Sequence, residues 1–519
     1  MPHRTTTCTV TALLLAALAS QAGAQDSAAL AKRYFDRSIR ITEQVKNKVT
    51  GEGWCWRAAY NIRHYVKGYE AFGDTDWLDY GVKYYDAVLE QMATGPDGYK
   101  GWIGTYGYEK SVWCDVHIGD SILLNGMLDF AVAVHEDPKL KAKYGAKAAQ
   151  YVELTKKHLI EKWDRRGTWY EDGPYGGYHS WDTYGKPGEF TGWTKRPEIN
   201  NSTISLPFNK QNDMAKACLK IWRITGEKKY RDKALKIFRF MRSRIQYFDD
   251  HYIWCYWEPL GPHDVTPEAN DTRHWMNVHP YRNYQAGEVE DVADAYHYGA
   301  VFTKTDLQRI VNTNLKVMWN GNKTDPKFRN SNVTLPGYRE APASTTYPTR
   351  AGTLWTGLLD FDATIRELYA KRLPTGNDPR YAVDRAYFRN VVMKSPPSFE
   401  RKIVKSDMDV FDFPTHECKG LVVACVLPSV IDRGGKAFVL CKVPVDGDIQ
   451  IDLYDAAGKA KKAALRTGRI KGGMDGHAGI FIHTWNGADA EGKPIAPGNY
   501  RVRWTVKDGY REFPITIND

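Results

Sequence analysis

Apolar side chains recur through most of the chain with the period of a half-buried helix. Met214, Ala217, Cys218, Ile221 and Trp222 fall at i, i+3, i+4, i+7 and i+8. Tyr230, Ala234, Ile237, Phe238 and Met241 repeat the stripe, and Leu307, Ile310, Val311, Leu315 and Met318 carry a third. That spacing places one apolar stripe along a 3.6-residue helix. Gly226, in the turn TGEKKY, separates the first two stripes and marks an antiparallel helix pair. Similar turns stand at residues 72–76 and 135–138. The pattern predicts roughly eleven or twelve helices between residues 28 and 392. Between them lie stretches rich in Gly, Trp, Tyr and Pro, at residues 95–113, 167–209, 251–285 and 320–352. Loops of that length inside a compact domain usually carry function. Helix pairs with long loops on one side predict a mainly α chain of the α/α-toroid class, closed or incomplete, with a cleft at one mouth. A plain α-solenoid would show a fixed-length repeat, and none is present.

After Pro396-Pro397 the period changes to that of strands. Residues 422–426, 437–443 and 449–454 are short β-type runs, 455–458 is a turn, and 500–506 alternates. This predicts a small all-β, immunoglobulin-like sandwich. At the other end, His3 and Arg4 precede an apolar run at residues 10–18, and Ala22-Gly23-Ala24 gives a small-x-small cleavage pattern. The run is too short to span a bilayer, and no later stretch approaches the ~20 residues needed. The expected organisation is a signal peptide over 1–24, a toroid over 25–395 and a linker with sandwich over 396–519. The expected location is secreted or periplasmic.

Composition sharpens this picture at three points. The 519 residues include 17 Trp, 32 Tyr and 18 Phe, 13% of the chain. A core rarely needs so many polar-tipped rings, so either the core is unusually aromatic or a long surface is lined for a ring-shaped ligand. Many of the Trp, including Trp102, Trp113, Trp169, Trp181, Trp193, Trp254, Trp257 and Trp275, fall in the long loops, where stacking on sugar faces is expected. The net charge of +10 favours an anionic partner, with the charges mixed rather than blocked. No nucleic-acid partner is expected. Once Cys8 leaves with the signal, Cys55, Cys114, Cys218, Cys255, Cys418, Cys425 and Cys441 remain, without CxxC or zinc spacing. The odd number requires a free thiol.

Several segments concentrate chemistry. The densest is TRHWMNVHPYRNY: residues 272–284 hold two His, two Arg and two Tyr ahead of a helix beginning near Glu288. A loop position is a stronger functional hint than a core one. Residues 198–213 hold an amide cluster including Asn200 and Asn201, equally suited to capping and turns. Asp115, His117 and Asp120 follow Trp113, and Asp115 is also a candidate helix cap. Arg57, Asn61 and His64, spaced four and three apart, share one helix face. Residues 254–259, including Trp257, form an aromatic run ending in a carboxylate, and Arg350 precedes a helix. Packing or capping accounts for these last four about as well as a site does.

β-Elimination on a uronic acid needs a group to neutralise the carboxylate, a base for the C5 proton and an acid for the leaving oxygen. Asn, Arg, His and Tyr supply those roles. Hydrolysis needs two carboxylates flanking the scissile bond, and Asp115, Glu258 and Glu288 are available. No EF-hand-like spacing is present, and no cofactor or metal is expected.

The layout of residues 25–394 resembles the α/α-toroid polysaccharide lyases. The segments WCYWEP and HWMNVHPYRNYQAGE most resemble the alginate and glucuronan lyases of polysaccharide lyase family 38. The NNHSYW-type run of another alginate lyase family is missing. The resemblance implies that Asn201 neutralises the carboxylate, His279 or Tyr284 acts as base, Tyr284 as acid, and Arg282 supports charge. Arg57, Asn61, His64, Trp113, His117, Asn200, Trp257, Trp275 and Arg350 would then bind an acidic polysaccharide. Residues 483–500 resemble the FlgD-type immunoglobulin-like module. A polysaccharide lyase is therefore expected. The alternatives are a toroid glycoside hydrolase acting on uronyl oligosaccharides and a non-catalytic glycan-binding protein.

Overall fold

The computed structural model describes residues 27–43, 50–107, 109, 111–188, 192–198, 203–278, 284–330, 352–403, 409–474 and 476–519. The expected signal peptide lies outside them. The fold class read from the sequence holds: α-helical hairpins of the toroid type are followed by an all-β sandwich. The chain forms two compact units. One comprises Met1–Leu159, Tyr184–Thr194 and Lys371–Pro396; the other comprises Ile160–Thr183, Lys195–Ala370 and Pro397–Asp519.

In the first unit, the helices Gly51–Phe72 and Asp76–Leu89 form a hairpin turned at Gly73, which takes φ 71° and donates to Tyr69 O. Their close approach depends on Gly68, where a Cβ would lie 2.2 Å from the Trp77 ring. The helix His117–Glu136 approaches Gly51–Phe72 in the same way, with the missing Cβ of Gly126 only 2.1 Å from Ile62. Asp137 caps the next helix, Pro138–Thr155, by accepting from Lys139 N at 2.8 Å. The interior is aromatic. Tyr65, Tyr85, Phe130 and Tyr151 meet edge to face at 5.8–5.9 Å between centroids. The Tyr85 hydroxyl donates to Ile62 O at 3.3 Å and that of Tyr151 to the Asp86 carboxylate at 3.1 Å.

The His117–Glu136 helix corrects one expectation. It is long and apolar enough to cross a membrane by length and composition, although no such stretch is evident from the apolar runs alone. It is instead a core helix, with Asp120, Ser121 and Asn125 buried alongside its leucines.

In the second unit, Phe208–Thr225 and Lys228–Arg244 form the hairpin predicted from their stripes. Gly226 at φ 76° ends the first helix. The third stripe is right through Val311 and then slips. Residues Thr313–Met318 form a π turn, which inserts an extra residue per turn, so Val317 and Met318 are buried and Leu315 only half so.

The sandwich is built from a three-stranded and a five-stranded sheet. The first orders Val423–Leu427, Ala437–Lys442 and Ile480–Trp485, all antiparallel. The second orders Val430–Asp432, Gly509–Asn518, Gly498–Val506, Gly447–Asp455 and Lys461–Ile470. Charged groups fasten it and the segment leading into it to the rest of its unit. Asp172 accepts from Ser429 N and Val430 N, Arg239 grips Asp409 bidentately at 2.8 Å, and buried Arg511 donates to the carbonyls of Tyr247, His416 and Cys418.

Most of the tryptophan excess is core, which corrects the picture of a long stacking surface. Trp102, Trp254 and Trp257 are buried, and Trp113, Trp169, Trp181 and Trp193 are half-buried. A buried indole N–H needs an acceptor, and loop carbonyls provide it: Trp102 donates to Val88 O at 3.0 Å and Trp257 to Ser205 O at 2.7 Å.

Candidate functional site

The antiparallel pair Gln246–Phe248 and His251–Ile253 delivers residues 254–261 to one side of the second unit. The ribbon Val265–Thr266 with Asp271–Thr272 delivers residues 273–278 beside them. Ile204, Tyr256, Trp257 and Met276 close into a buried floor. On it, His274 meets the Trp257 ring edge-on at 5.0 Å and stacks on Trp275 at 5.0 Å and 8°. Tyr284, just before the helix Gln285–His297, lies 5.7 Å from Tyr256. Trp275 and Tyr284 are 41% and 38% exposed, so two rings of this cluster face solvent. His274 and Asn277 hold φ 53° and 58°, a left-handed conformation that costs non-glycine residues free energy and clusters at functional sites. Burial, then the His477 and Arg273 charges, lower the His274 imidazole to about 4, so the stacked ring is neutral at pH 7.

Two buried carboxyl groups belong to the segments that build this platform, Glu258 next to Trp257 and Glu288 in the helix that follows Tyr284. Glu258 is fully buried; its Oε1 accepts from Cys255 N at 3.2 Å, and its Oε2 has no hydrogen-bond partner. Burial raises its carboxyl to about 8, against the opposing pull of Arg244 and Lys442. Glu288, in the first turn of Gln285–His297, accepts from Trp254 Nε1 at 2.8 Å and also leaves Oε1 without a partner. Burial pushes it well above the usual carboxylate range. Both groups are thus protonated at neutral pH, the state in which a carboxyl can donate a proton. Gln285 ties the start of the Gln285–His297 helix to the 254–261 segment by donating to Trp254 O at 3.1 Å.

The platform loop is held by the sandwich. Lys442, fully buried on the strand Ala437–Lys442, donates to Asn277 O at 2.6 Å and Gly476 O at 2.9 Å. His477 pairs with Asp271 at 2.7 Å, and Asn270 bonds the backbone of Ile480 and Ile482.

A Ser-His-Asp grouping lies nearby but does not make a nucleophile. Ser205 Oγ gives its single proton to Asp264 Oδ2 at 2.7 Å, and His263 Nε2 stands 3.0 Å from the same oxygen. His263 can therefore only donate to Ser205, not deprotonate it. Asp264 also accepts from Ser205 N, Leu260 N and Gly261 N, which makes it the clasp of this turn.

The predicted residues divide between the units. Trp257, Trp275 and Tyr284 come together in the platform. Asn200, Asn201, His279, Arg282 and Arg350 lie outside the described residues. In the first unit, His117 opens its helix, buried, and Trp113 pairs with Gly185. Asp115 is not the helix cap: the N-cap is Val116, and Asp115 instead faces Gly101, where a Cβ would lie 2.5 Å from its carboxylate. Arg57 and Asn61 line a cavity, whereas His64 pairs with Asp384 at 3.3 Å. Among the described residues, no three His, Cys, Asp or Glu are placed to hold a metal ion. Lys442 went unrecognised in the sequence, although a lysine inside the apolar run AFVLCKV is a visible anomaly.

No protein-family model matches the chain, the FlgD-type and lyase families included. No curated protein matches it. Solved structures similar to it include a family 76 glycoside hydrolase from a bovine Bacteroides thetaiotaomicron strain. That match has 14% identity and a TM-score of 0.35, and covers 65% of this chain and 58% of that one. The chain thus spans under two thirds of that protein. A family 76 mannosidase of B. thetaiotaomicron VPI-5482 matches at 13% identity and TM-score 0.35, over 69% of this chain and 84% of that one. A family 88 glycosyl hydrolase of Bacteroides vulgatus matches at 13% and 0.28, over 69% and 99%. The expectation of a polysaccharide lyase is corrected at this point: these three similar chains are glycoside hydrolases and none is a lyase. Asn201, His279 and Arg282, three of the four residues to which that resemblance gave catalytic roles, lie outside the described residues.

Proposed function

We propose that the protein is an exported glycan-degrading enzyme that hydrolyses glycosidic bonds at the Trp275–Tyr284 platform. The observation that carries this reading is the pair of buried, protonated carboxyls, Glu258 and Glu288, on the two segments that supply Trp257 and Tyr284 to the platform. Aromatic faces stack on sugar rings, and a carboxyl held protonated at pH 7 is what a general acid for a glycosidic oxygen requires. Glu258 is the proposed acid, since its Oε2 is uncommitted and its carboxyl titrates near neutrality. The signal-like sequence of residues 1–24 supports export. Incubation with a panel of neutral and acidic glycans should release reducing ends without unsaturated products. Absence of new reducing ends on every glycan, or unsaturated ends in proportion to them, overturns the proposal.

Glycan binding without turnover is the second reading. The full burial of both carboxyls favours it. It predicts saturable binding at the same platform with no product formed.

A further inference from the structure

The first unit contains a second concave feature, separate from the aromatic platform. A cavity of about 330 Å³ is lined by Arg37, Arg40, Arg57 and Arg380, with Asn61 at its wall and Tyr60 at its edge. That volume is at the small end of ligand pockets, ~300–1,000 Å³, and suits one or two sugar rings.

Among the described residues, positive charge at this cavity outnumbers negative. Asp378 is the carboxylate that serves it, 3.4 Å from Arg37 and 3.0 Å from Arg380. Arg40 and Arg57 make no ion pair with a described residue, and both are exposed. Asp384, which pairs with His64, also acts on Arg380, yet four guanidiniums still outnumber the described carboxylates and repel one another, and an added anion would relieve that repulsion. Arg presents a planar fork that matches carboxylate and sulfate oxygens bidentately. Asn61 is buried and fixed by its Nδ2, which donates to Arg57 O at 3.2 Å, and by the Tyr34 hydroxyl. Tyr60 is 64% exposed, a ring free to lie against a sugar face at the cavity mouth.

We propose that this cavity binds the oxyanion of an acidic saccharide, with Arg40 and Arg57 gripping the anion, Arg37 and Arg380 supplying further positive charge, and Tyr60 covering the sugar ring. The site stands independently of bond hydrolysis at the platform, because it needs binding only.

The test uses the full-length Glu258→Gln protein, so that turnover does not confuse binding. Glucuronate, glucose and inorganic sulfate are titrated calorimetrically at low and high salt. Glucuronate should bind saturably, at least ~10-fold more tightly than glucose, and weaken as salt screens the charges. The Arg40→Gln/Arg57→Gln protein should lose that binding with an unchanged melting temperature, since both side chains are exposed. Tyr60→Ala should weaken glucuronate but not sulfate. Glucuronate binding that is absent, or indifferent to the double substitution, overturns the site. Sulfate binding as tightly as glucuronate, with Tyr60→Ala neutral, overturns the saccharide assignment. Hydrolysis by the unsubstituted protein is measured separately, so failure of one reading leaves the other standing.

Discussion

The ammonium of Lys442 lies 2.6 Å from the carbonyl oxygen of Asn277, so a strand of the sandwich holds the loop that presents Trp275. A fully buried charge is costly unless its hydrogen bonds are made, and here a second carbonyl, Gly476 O, also accepts from the ammonium. The β-domain is therefore part of the platform's architecture rather than a detached appendage.

Lys442→Met keeps the apolar stem and removes the donor. It leaves the buried Asn277 carbonyl without this donor and should cost ~1–3 kcal/mol. Hydrogen exchange should accelerate at residues 270–278 more than in the Phe208–Thr225 helix. Uniform acceleration across the unit would show that the lysine stabilises the whole unit and not the loop.

Glu258 gives the protein a specific pH dependence. Its folded value, about 8, lies above the unfolded value of 4.5. Between those values the unfolded chain has released a proton that the folded one keeps. Stability from this group is therefore full below about 4.5 and falls as pH rises toward 8, by up to ~1.4 kcal/mol per pH unit. Glu258→Gln, an isostere of the protonated acid, should flatten that slope in denaturant titrations at pH 5 and 8. It should also abolish glycan hydrolysis if the carboxyl donates a proton. Full activity in this variant would end its assignment as the acid.

Trp275→Ala separates binding from folding. The ring is exposed, so stability should change by no more than ~0.5 kcal/mol. Glycan affinity should fall ~3- to 10-fold through loss of stacking. Unchanged affinity in calorimetry would remove the platform from the binding surface.

Gly126→Ala probes the helix packing of the first unit. Its Cβ would lie 2.1 Å from Ile62, and overpacking of this kind costs ~1–3 kcal/mol. The double variant with Ile62→Ala should recover part of that loss, as read from melting curves.

How far the sequence reached depends on the kind of interaction. The stripes of Met214–Trp222 and Tyr230–Met241 were legible because one helix period determines which side chains face inward. Leu315 was misplaced because a π turn leaves no mark on the apolar period. The strands Lys461–Ile470 and Gly509–Asn518 escaped notice because charged and polar residues interrupt their alternation, while cross-strand pairing holds them in the sheet. For the site, Trp257, Trp275 and Tyr284 were legible from loop composition. The buried acids were visible as residue types, but their protonation follows from three-dimensional burial. Lys442 and Asn277 are 165 positions apart, a pairing that no local pattern encodes.

All seven cysteines among the described residues are unpaired and buried. Burial pushes the thiols of Cys218 and Cys425 up to about 12, so they are thiols rather than thiolates in the folded protein. Two of the seven, Cys55 and Cys114, belong to the first unit and five to the second. An alkylating reagent therefore reports opening as a count of mass increments. In the protein without residues 1–24, a population labelled twice has opened the first unit alone, one labelled five times the second, and one labelled seven times both. The chain thus carries its own tally of which half unfolds first.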